Sequence, residues 1–283
     1  MNLITWNIQW GRGCDGRVDF RRIVDTAMAM ADADVLCLQE VARNYPGLPG
    51  SSGEDQFTAL AALLPNHECV EGVATDTLAP GGGRRQFGNA IYSRLPVLHV
   101  FRHLLPWPVD PKLPSMQRIA LEVVLKATNQ LVRVTTTHLE YYSARQRAAQ
   151  VEFLRDLQIE AALHARDKVQ PKKESSPFET PARPISSILT ADFNFRPEDP
   201  MYARLTAPLA HGVPKYCDAW STLHPGRAHE PTLGVFDKAQ WPEEFCCDFI
   251  FVSEDIAPLV REIRVDLDTQ ASDHQPVLLA MDI

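Results

Sequence analysis

Several short apolar runs in this chain end, or begin, on the same few kinds of polar residue. "LITWNIQW" (3–10) carries Asn7 just before a glycine-rich turn, "DVLCLQE" (34–40) closes on Glu40, and "LVRVTTTHL" closes on His138. "SSIL" leads into "TADFNF", which sets Asp192 and Asn194 two residues apart. In the opposite sense, Asp248 opens "FIFV", and Asp273 with His274 open "PVLLAM". Apolar runs of this length, bounded by turn residues, are expected to be buried strands. If strands of both directions share sheets, these polar ends all fall along one edge. Alternation along an extended strand would also turn Asp192 and Asn194 the same way, with Phe193 facing the packing.

Helical patterns separate the strands. Phe20, Ile23, Val24 and Ala27 share one face of a helix expected at about 19–31, and "QFTALAALLP" (56–65) reads as a short helix stopped by proline. Ser143 and Gln146 form a candidate capping box at the start of the longest helix, and Asp199 with Pro200 mark another start. "IALEVVL" and "LVRVTTTHL" form a hairpin about "KATNQ", while "GGGRRQFGNAIYS" is a loop feeding a strand at about 88–93. Irregular alternation with hairpins predicts an α/β (α+β) fold with mixed sheets, not a pure βαβ winding. The Pro-, Ser- and charge-rich run 170–184 reads as an exposed, mobile loop and not a boundary, so one domain over 1–283 is expected.

The polar edge holds two amides, four carboxylates and two imidazoles. Hard divalent cations prefer oxygen ligands, and Mg²⁺ typically takes one or two carboxylates together with waters and phosphate oxygens. Glu40 is the natural direct ligand, and Asn7 can ligate or orient a metal-bound water. There is no serine elbow, P-loop lysine or reactive-cysteine motif, so the nucleophile is expected to be water activated by a carboxylate or an imidazole. Asp248 paired with His274 would hold the imidazole tautomer. His138 and Asn194 would donate to phosphoryl oxygens as charge shifts.

Taken in order, "TWNIQ", "LCLQEV", "GNAIYSR", "TTTHLE", "TADFN", "CDFIFV" and "SDHQPV" span residues 4 to 277, and in this the chain resembles the endonuclease/exonuclease/phosphatase family, which has the DNase I fold. Each motif alone is weak; the ordered set is specific. The resemblance implies a four-layer sandwich of two mixed β-sheets flanked by helices, and a Mg²⁺- or Mn²⁺-dependent hydrolase of phosphodiesters or phosphomonoesters. It implies metal roles for Asn7, Glu40 and Asp273, phosphate binding by His138, and nucleophile and phosphate handling by Asp192 and Asn194. It also implies that Asp248 orients the catalytic His274. Gln9 departs from the family pattern, where other members carry Asp or Asn. Whether Asp192 or His274 activates the water stays open.

Two rivals share this fold: a DNA-directed nuclease or repair phosphodiesterase, and a catalytically silent binding module. The complete motif set opposes the second. The net charge of −8 leans away from the first, toward a smaller phosphorylated substrate or a special terminal phosphodiester, although a local basic groove is compatible with an acidic chain. Specificity is expected in the segments 43–56, 75–87, 106–116 and 225–244. Asn89 and Arg118 are as readily structural as functional, Arg12 and Arg17 less readily functional, and His224, His229, Arg84–Arg85 and Lys172–Lys173 read as solvated loop residues. The six cysteines form no CxxC pair, and Cys37 sits in an apolar run, so reduced thiols are expected. The N-terminus lacks signal-peptide features and no apolar run approaches membrane length, which points to a cytoplasmic monomer without a membrane partner.

Overall fold

The computed structural model describes residues 1–166 and 182–283. Lys172–Lys173 and most of the 170–184 run therefore lie outside the described residues. The last residues of that run are packed, since Arg183 pairs with the buried Glu122 at 3.3 Å.

Two mixed six-stranded sheets pack face to face. One has the order β11 (Val260–Val265), β12 (Val277–Met281), β1 (Asn2–Asn7), β2 (Val35–Arg43), β4 (Arg84–Ser93), β3 (Glu68–Leu78). The other has the order β5 (Val97–Leu104), β6 (Ile119–Lys126), β7 (Leu131–His138), β8 (Ser187–Asp192), β10 (Asp248–Ser253), β9 (Tyr216–Asp218). The pairs β1–β2 and β7–β8 are parallel; every other pair is antiparallel.

Period-two alternation builds three apolar layers from these strands. Leu3, Val35, Cys37 and Ile91 meet Val123, Val134, Ile188 and Ile250 between the sheets. The opposite face of the first sheet, with Ile4, Trp6, Leu36 and Leu38, packs on α1 (Phe20–Met30) and α2 (Gln56–Leu63) through Ile23, Ala27, Phe57 and Leu60. The outer face of the second sheet, with Leu189, Ala191, Phe249 and Phe251, packs on α3 (Ala144–Arg166) and α4 (Pro200–Thr206) through Val151, Leu154 and Leu205. A short α5 (Ala219–Leu223) adds Trp220 to the inter-sheet core. The sheets approach closely at Gly72, where a Cβ would lie 2.9 Å from Leu121. Gln39, fully buried, links them by donating to Thr5 Oγ1 at 3.1 Å and Thr136 Oγ1 at 2.8 Å.

Helix starts follow the sequence signals. Asp19 accepts from Arg22 N and Asp199 from Met201 N, with Pro200 in the first turn. Ser143 Oγ accepts from Gln146 N at 3.2 Å, but the Gln146 amide turns to Pro108 O and Ser115 Oγ, so only half the capping box forms. Arg84 and Arg85 are not loop residues. They open β4, where Arg84 pairs with Asp76 at 2.7 Å and Arg85 lies over the Tyr45 ring. All six cysteines are free thiols, and Cys37 is core. Among the described residues no helix is long and apolar enough to cross a membrane.

Candidate active site

Strand direction and register bring the polar ends together. β1, β2, β7 and β8 finish at one edge of the sandwich, and the antiparallel β10 starts there. In the second sheet His138 is registered against Asp192, and Asp192 against Asp248. Each continues the inward-facing row of its strand, after Val134, Ile188 and Ile250 respectively. Asn7 continues the inward row of β1 after Leu3 and Thr5, and so meets Asp192 across the sheets. The loop before β12 is tied to β1, because Trp6 Nε1 donates to His274 O at 2.9 Å and Ser272 Oγ donates to Asn7 O at 2.8 Å. That places Asp273 and His274 over the same edge.

The side chains converge on Asp192. Its Oδ2 accepts from Asn7 Nδ2 at 3.0 Å and lies 3.3 Å from His138 Nε2 and 3.7 Å from His274 Nε2. Asn7 Nδ2 also donates to Glu40 Oε1 at 3.1 Å, and His138 Nδ1 stands 3.8 Å from the same oxygen. His274 Nδ1 is 2.9 Å from Asp248 Oδ2, the pairing expected from the sequence, and Thr232 Oγ1 donates to that oxygen at 2.6 Å. Asp273 Oδ2 accepts from Gln9 Nε2 at 2.8 Å and Trp241 Nε1 at 3.0 Å. Gln9 thus holds a site carboxylate at the position where the family pattern differs. Asn7, Gln9, His138, Asp192, Thr232, Asp248, Asp273 and His274 are buried, and Glu40 is half-buried.

Two expectations about backbone are corrected. Glu40 does not close its strand. It is a bulge residue at φ 60° between Gln39 and Val41, and β2 resumes to Arg43. Nor does the chain stay extended through Phe193. β8 stops at Asp192, Asn194 takes φ 52°, and Asp192 Oδ1 accepts the Asn194 N–H at 3.0 Å in an Asx-type turn. The turn leaves Oδ2 for the site, and Asn194 still faces the cleft while one of its amide protons goes to Leu139 O at 2.9 Å. Among the described residues the left-handed non-glycine ones are Gln9, Trp10, Glu40, Asn44, Asn194 and His211, and four of them line this cleft. Such strain is costly and concentrates where geometry is functional.

The electrostatics separate the groups. Burial, with Asp273 and Asp192 nearby, outweighs the Asn7 hydrogen bond and His274 and raises Glu40 from 4.5 to about 7. Burial raises Asp192 to about 6, against the pull of His274 and with Asp248 adding to the rise. Burial opposes charge on His274, but Asp248, Asp192 and Asp273 overcome it and hold the imidazole well above its ordinary value. Burial, helped by Arg118, holds His138 well below its ordinary value and hence neutral at pH 7.

Glu40, Asp192 and Asp273 face one cavity, both aspartates oppose charge on Glu40, and a hard divalent cation would offset that repulsion, so the oxygen chemistry of these residues fits such an ion. A carboxylate with a raised folded pKa binds its proton more tightly when folded. Its contribution to stability is therefore full below about 4.5 and is lost as pH rises through about 7. A bound cation replaces that proton. Adding Mg²⁺ is thus expected to raise the melting temperature at pH 8 and to leave it nearly unchanged at pH 5, as read by differential scanning fluorimetry. A shift of equal size at both pH values would count against Glu40 as a ligand.

The cavity, about 260 Å³, is rimmed by Trp10, Tyr141, Tyr142, Leu233, Gln240 and Trp241, with Arg118 inside. Arg118 turns to Glu140 at 3.4 Å and not to a site carboxylate. Asn89 donates to Ile119 O between the sheets, and Arg12 reaches the site only through Gln9 Oε1. His229 is not a solvated loop residue: its Nε2 lies 2.6 Å from the buried Asp218 and its ring stacks on Trp220. Of the four segments expected to hold specificity, 225–244 supplies Leu233, Gln240 and Trp241, whereas 75–87 is mostly the β3–β4 ribbon. Tyr141, Tyr142 and Trp241 went unnoticed in the sequence, although the "EYYS" that follows His138 was a usable signal.

Comparison with known proteins agrees with this fold. Residues 4–169 match the Endonuclease/Exonuclease/phosphatase family. An endonuclease/exonuclease/phosphatase from Beutenbergia cavernae is similar in structure, with a TM-score of 0.70 and 25% identity over 99% of this chain and 70% of that one. The mannosyl-6-phosphatase Bt3783 of Bacteroides thetaiotaomicron superposes with a TM-score of 0.66 at 17% identity, covering 100% of both chains. D. rerio TDP2 complexed with a single-strand DNA product gives a TM-score of 0.65 at 18% identity over 100% of this chain and 99% of that one. No curated protein matches the chain by sequence.

Proposed function

Because the chain belongs to the endonuclease/exonuclease/phosphatase family, we propose that it is a phosphoesterase, acting as one domain, that hydrolyses a phosphodiester or phosphomonoester with Mg²⁺ or Mn²⁺. The observation that carries this reading is the convergence of Asn7, His138 and His274 on one oxygen of Asp192. Site strands come from both sheets, so neither sheet alone would hold the constellation.

Glu40 and Asp273 would hold the cation, with Asn7 orienting Glu40. When bound, the cation supplies Lewis-acid stabilisation of phosphoryl charge. The rest falls to the chain. Asp192 accepts the proton of the attacking water, because Asp248, Asp192 and Asp273 favour the charged form of His274, which has no free nitrogen to serve as a base. The charged His274, its tautomer fixed by Asp248, donates from Nε2 to a phosphoryl oxygen. His138 and the free amide proton of Asn194 donate to the same developing charge.

The test is turnover of bis-p-nitrophenyl phosphate, p-nitrophenyl phosphate, nucleotides, abasic DNA and inositol phosphates with Mg²⁺ and with Mn²⁺. Hydrolysis of at least one, abolished by EDTA and restored by metal, is expected; activity untouched by exhaustive chelation would overturn metal dependence. Asn194 supplies a further check. Glycine tolerates its φ of 52° without strain, so Asn194→Gly removes the amide while sparing the turn. A fall in kcat of roughly a hundredfold is expected, the scale for one preorganised donor, with KM little changed. Normal turnover in the folded variant would reduce Asn194 to a turn former.

A further inference from the structure

We propose that this cleft selects phosphoesters bearing a planar ring, and that Tyr141, Tyr142 and Trp241 determine that specificity; the proposal rests on the phosphoesterase reading above. The catalytic cavity opens into a second cleft of about 580 Å³, and the two share Tyr141, Tyr142 and Asn194. A group bonded to a phosphoryl held at Asn194 can therefore lie against the two tyrosines.

These rings are placed for contact with a ligand. Tyr141 is 43% and Tyr142 56% exposed, and neither hydroxyl hydrogen-bonds to a described residue. The two rings stand nearly perpendicular at 4.8 Å, and Tyr141 meets the Trp241 indole edge-on at 5.9 Å. Trp241 is pinned at its other side by the Nε1 bond to Asp273, so the aromatic wall is fixed relative to the reacting groups. Phe245 extends the wall into the second cleft, 6.4 Å from Trp241. Planar rings gain most from such a surface, by offset or edge-to-face stacking.

Charge narrows the class. Of the arginines that line the two cavities, Arg118 meets Glu140 through Nε at 3.4 Å and keeps Nη1 without a partner among the described residues, Arg147 donates to the carbonyls of Glu140 and Tyr141, and Arg196 pairs with Glu243. Glu198 and Asp199 also line the second cleft. A polyphosphorylated ring such as an inositol polyphosphate would need clustered free cations. The surface fits one phosphoester joined to an uncharged planar group, either a nucleobase or an aryl ring.

Three diesters with one leaving group test this: methyl p-nitrophenyl phosphate, bis-p-nitrophenyl phosphate and thymidine 5′-(p-nitrophenyl phosphate). The leaving group is common, and each rate is divided by that of uncatalysed hydrolysis, because a retained aryl ester activates phosphorus and bis-p-nitrophenyl phosphate offers two equivalent leaving groups. The ring-bearing esters are expected to exceed the methyl ester in kcat/KM by roughly tenfold or more, the scale of one stacked ring. Tyr142→Ala, at an exposed position that folding does not require, should collapse that ratio toward one. The aryl and thymidine arms distinguish which kind of ring is preferred. Equal rates for methyl and ring esters, or an unchanged ratio in the variant, would overturn the proposal. Binding separates this from failure of the phosphoesterase reading. Tryptophan fluorescence titrations should show thymidine 5′-monophosphate bound more tightly than ribose 5-phosphate, and Tyr142→Ala should remove the difference. Equal binding of the two would overturn the ring site. Discrimination in binding without hydrolysis of any ester would sustain it and overturn the enzyme.

Discussion

Asp192→Asn is expected to lower kcat by roughly 10²–10⁴-fold, the range for a positioned general base, while leaving the protein folded. The substitution keeps an oxygen for the Asn194 N–H, so the turn at the end of β8 survives. At the other position it replaces an acceptor by an NH₂ that faces the donating amide of Asn7 and lies 3.3 and 3.7 Å from Nε2 of His138 and His274. Proton acceptance is lost, Asn7 loses its acceptor, and the negative charge beside the two imidazoles is removed. KM should change much less than kcat, because the interaction matters most as the water is deprotonated. Turnover within tenfold of wild type, on a variant with an unchanged melting temperature, would remove Asp192 as the base and return that role to His274.

Phe193→Ala is expected to have the largest effect on stability, a loss of about 3–5 kcal/mol. The ring is fully buried and contacts Phe195, Phe249 and Phe251 at centroid distances of 5.1 to 5.9 Å, beneath α3 and α4. It is also the residue between Asp192 and Asn194, so its packing sets where the turn sits. Turnover per folded molecule should therefore fall as well, because a small displacement of Asp192 degrades the reacting geometry. Urea unfolding followed by tryptophan fluorescence and circular dichroism gives the first number, and active-site-normalised kinetics the second. A loss below about 1 kcal/mol would mean that neighbouring side chains refill the space and that Phe193 does not anchor the turn.

The strands that carry the site were legible because they are central. β1, β2, β7, β8 and β10 bury both faces, so their apolar runs are nearly continuous and their polar ends stand out. β3 and β5 were not read as strands, and both lie at sheet edges with mixed burial along their length. One solvated face and one unpaired backbone edge leave little apolar signal in such a strand. β9 is only three residues long, and β11, the other edge of the first sheet, alternates arginine and glutamate with its apolar residues. The His229–Asp218 contact was invisible for a different reason, since it joins a loop to a strand end through packing on Trp220 that no spacing encodes.

The sequence by itself determined the family, the layered architecture and the membership of the polar edge. Those depend on strand order and side-chain alternation, which are local and periodic and survive in a string of letters. Tertiary structure alone decided how the members act on one another. The bulge at Glu40 resets a side chain that simple alternation would have aimed away from the site, and a left-handed turn, not an extended strand, brings Asn194 to the cleft. The pKa order of Glu40, Asp192, His138 and His274 follows from burial and from charges contributed by both sheets and the loop before β12. The aromatic wall joins residues 141 and 142 to residue 241, a hundred positions apart, and only the meeting of their loops above the sheet edge makes them one surface. Local pattern records what each residue can contribute, whereas distance and dielectric arise only once the chain has closed on itself.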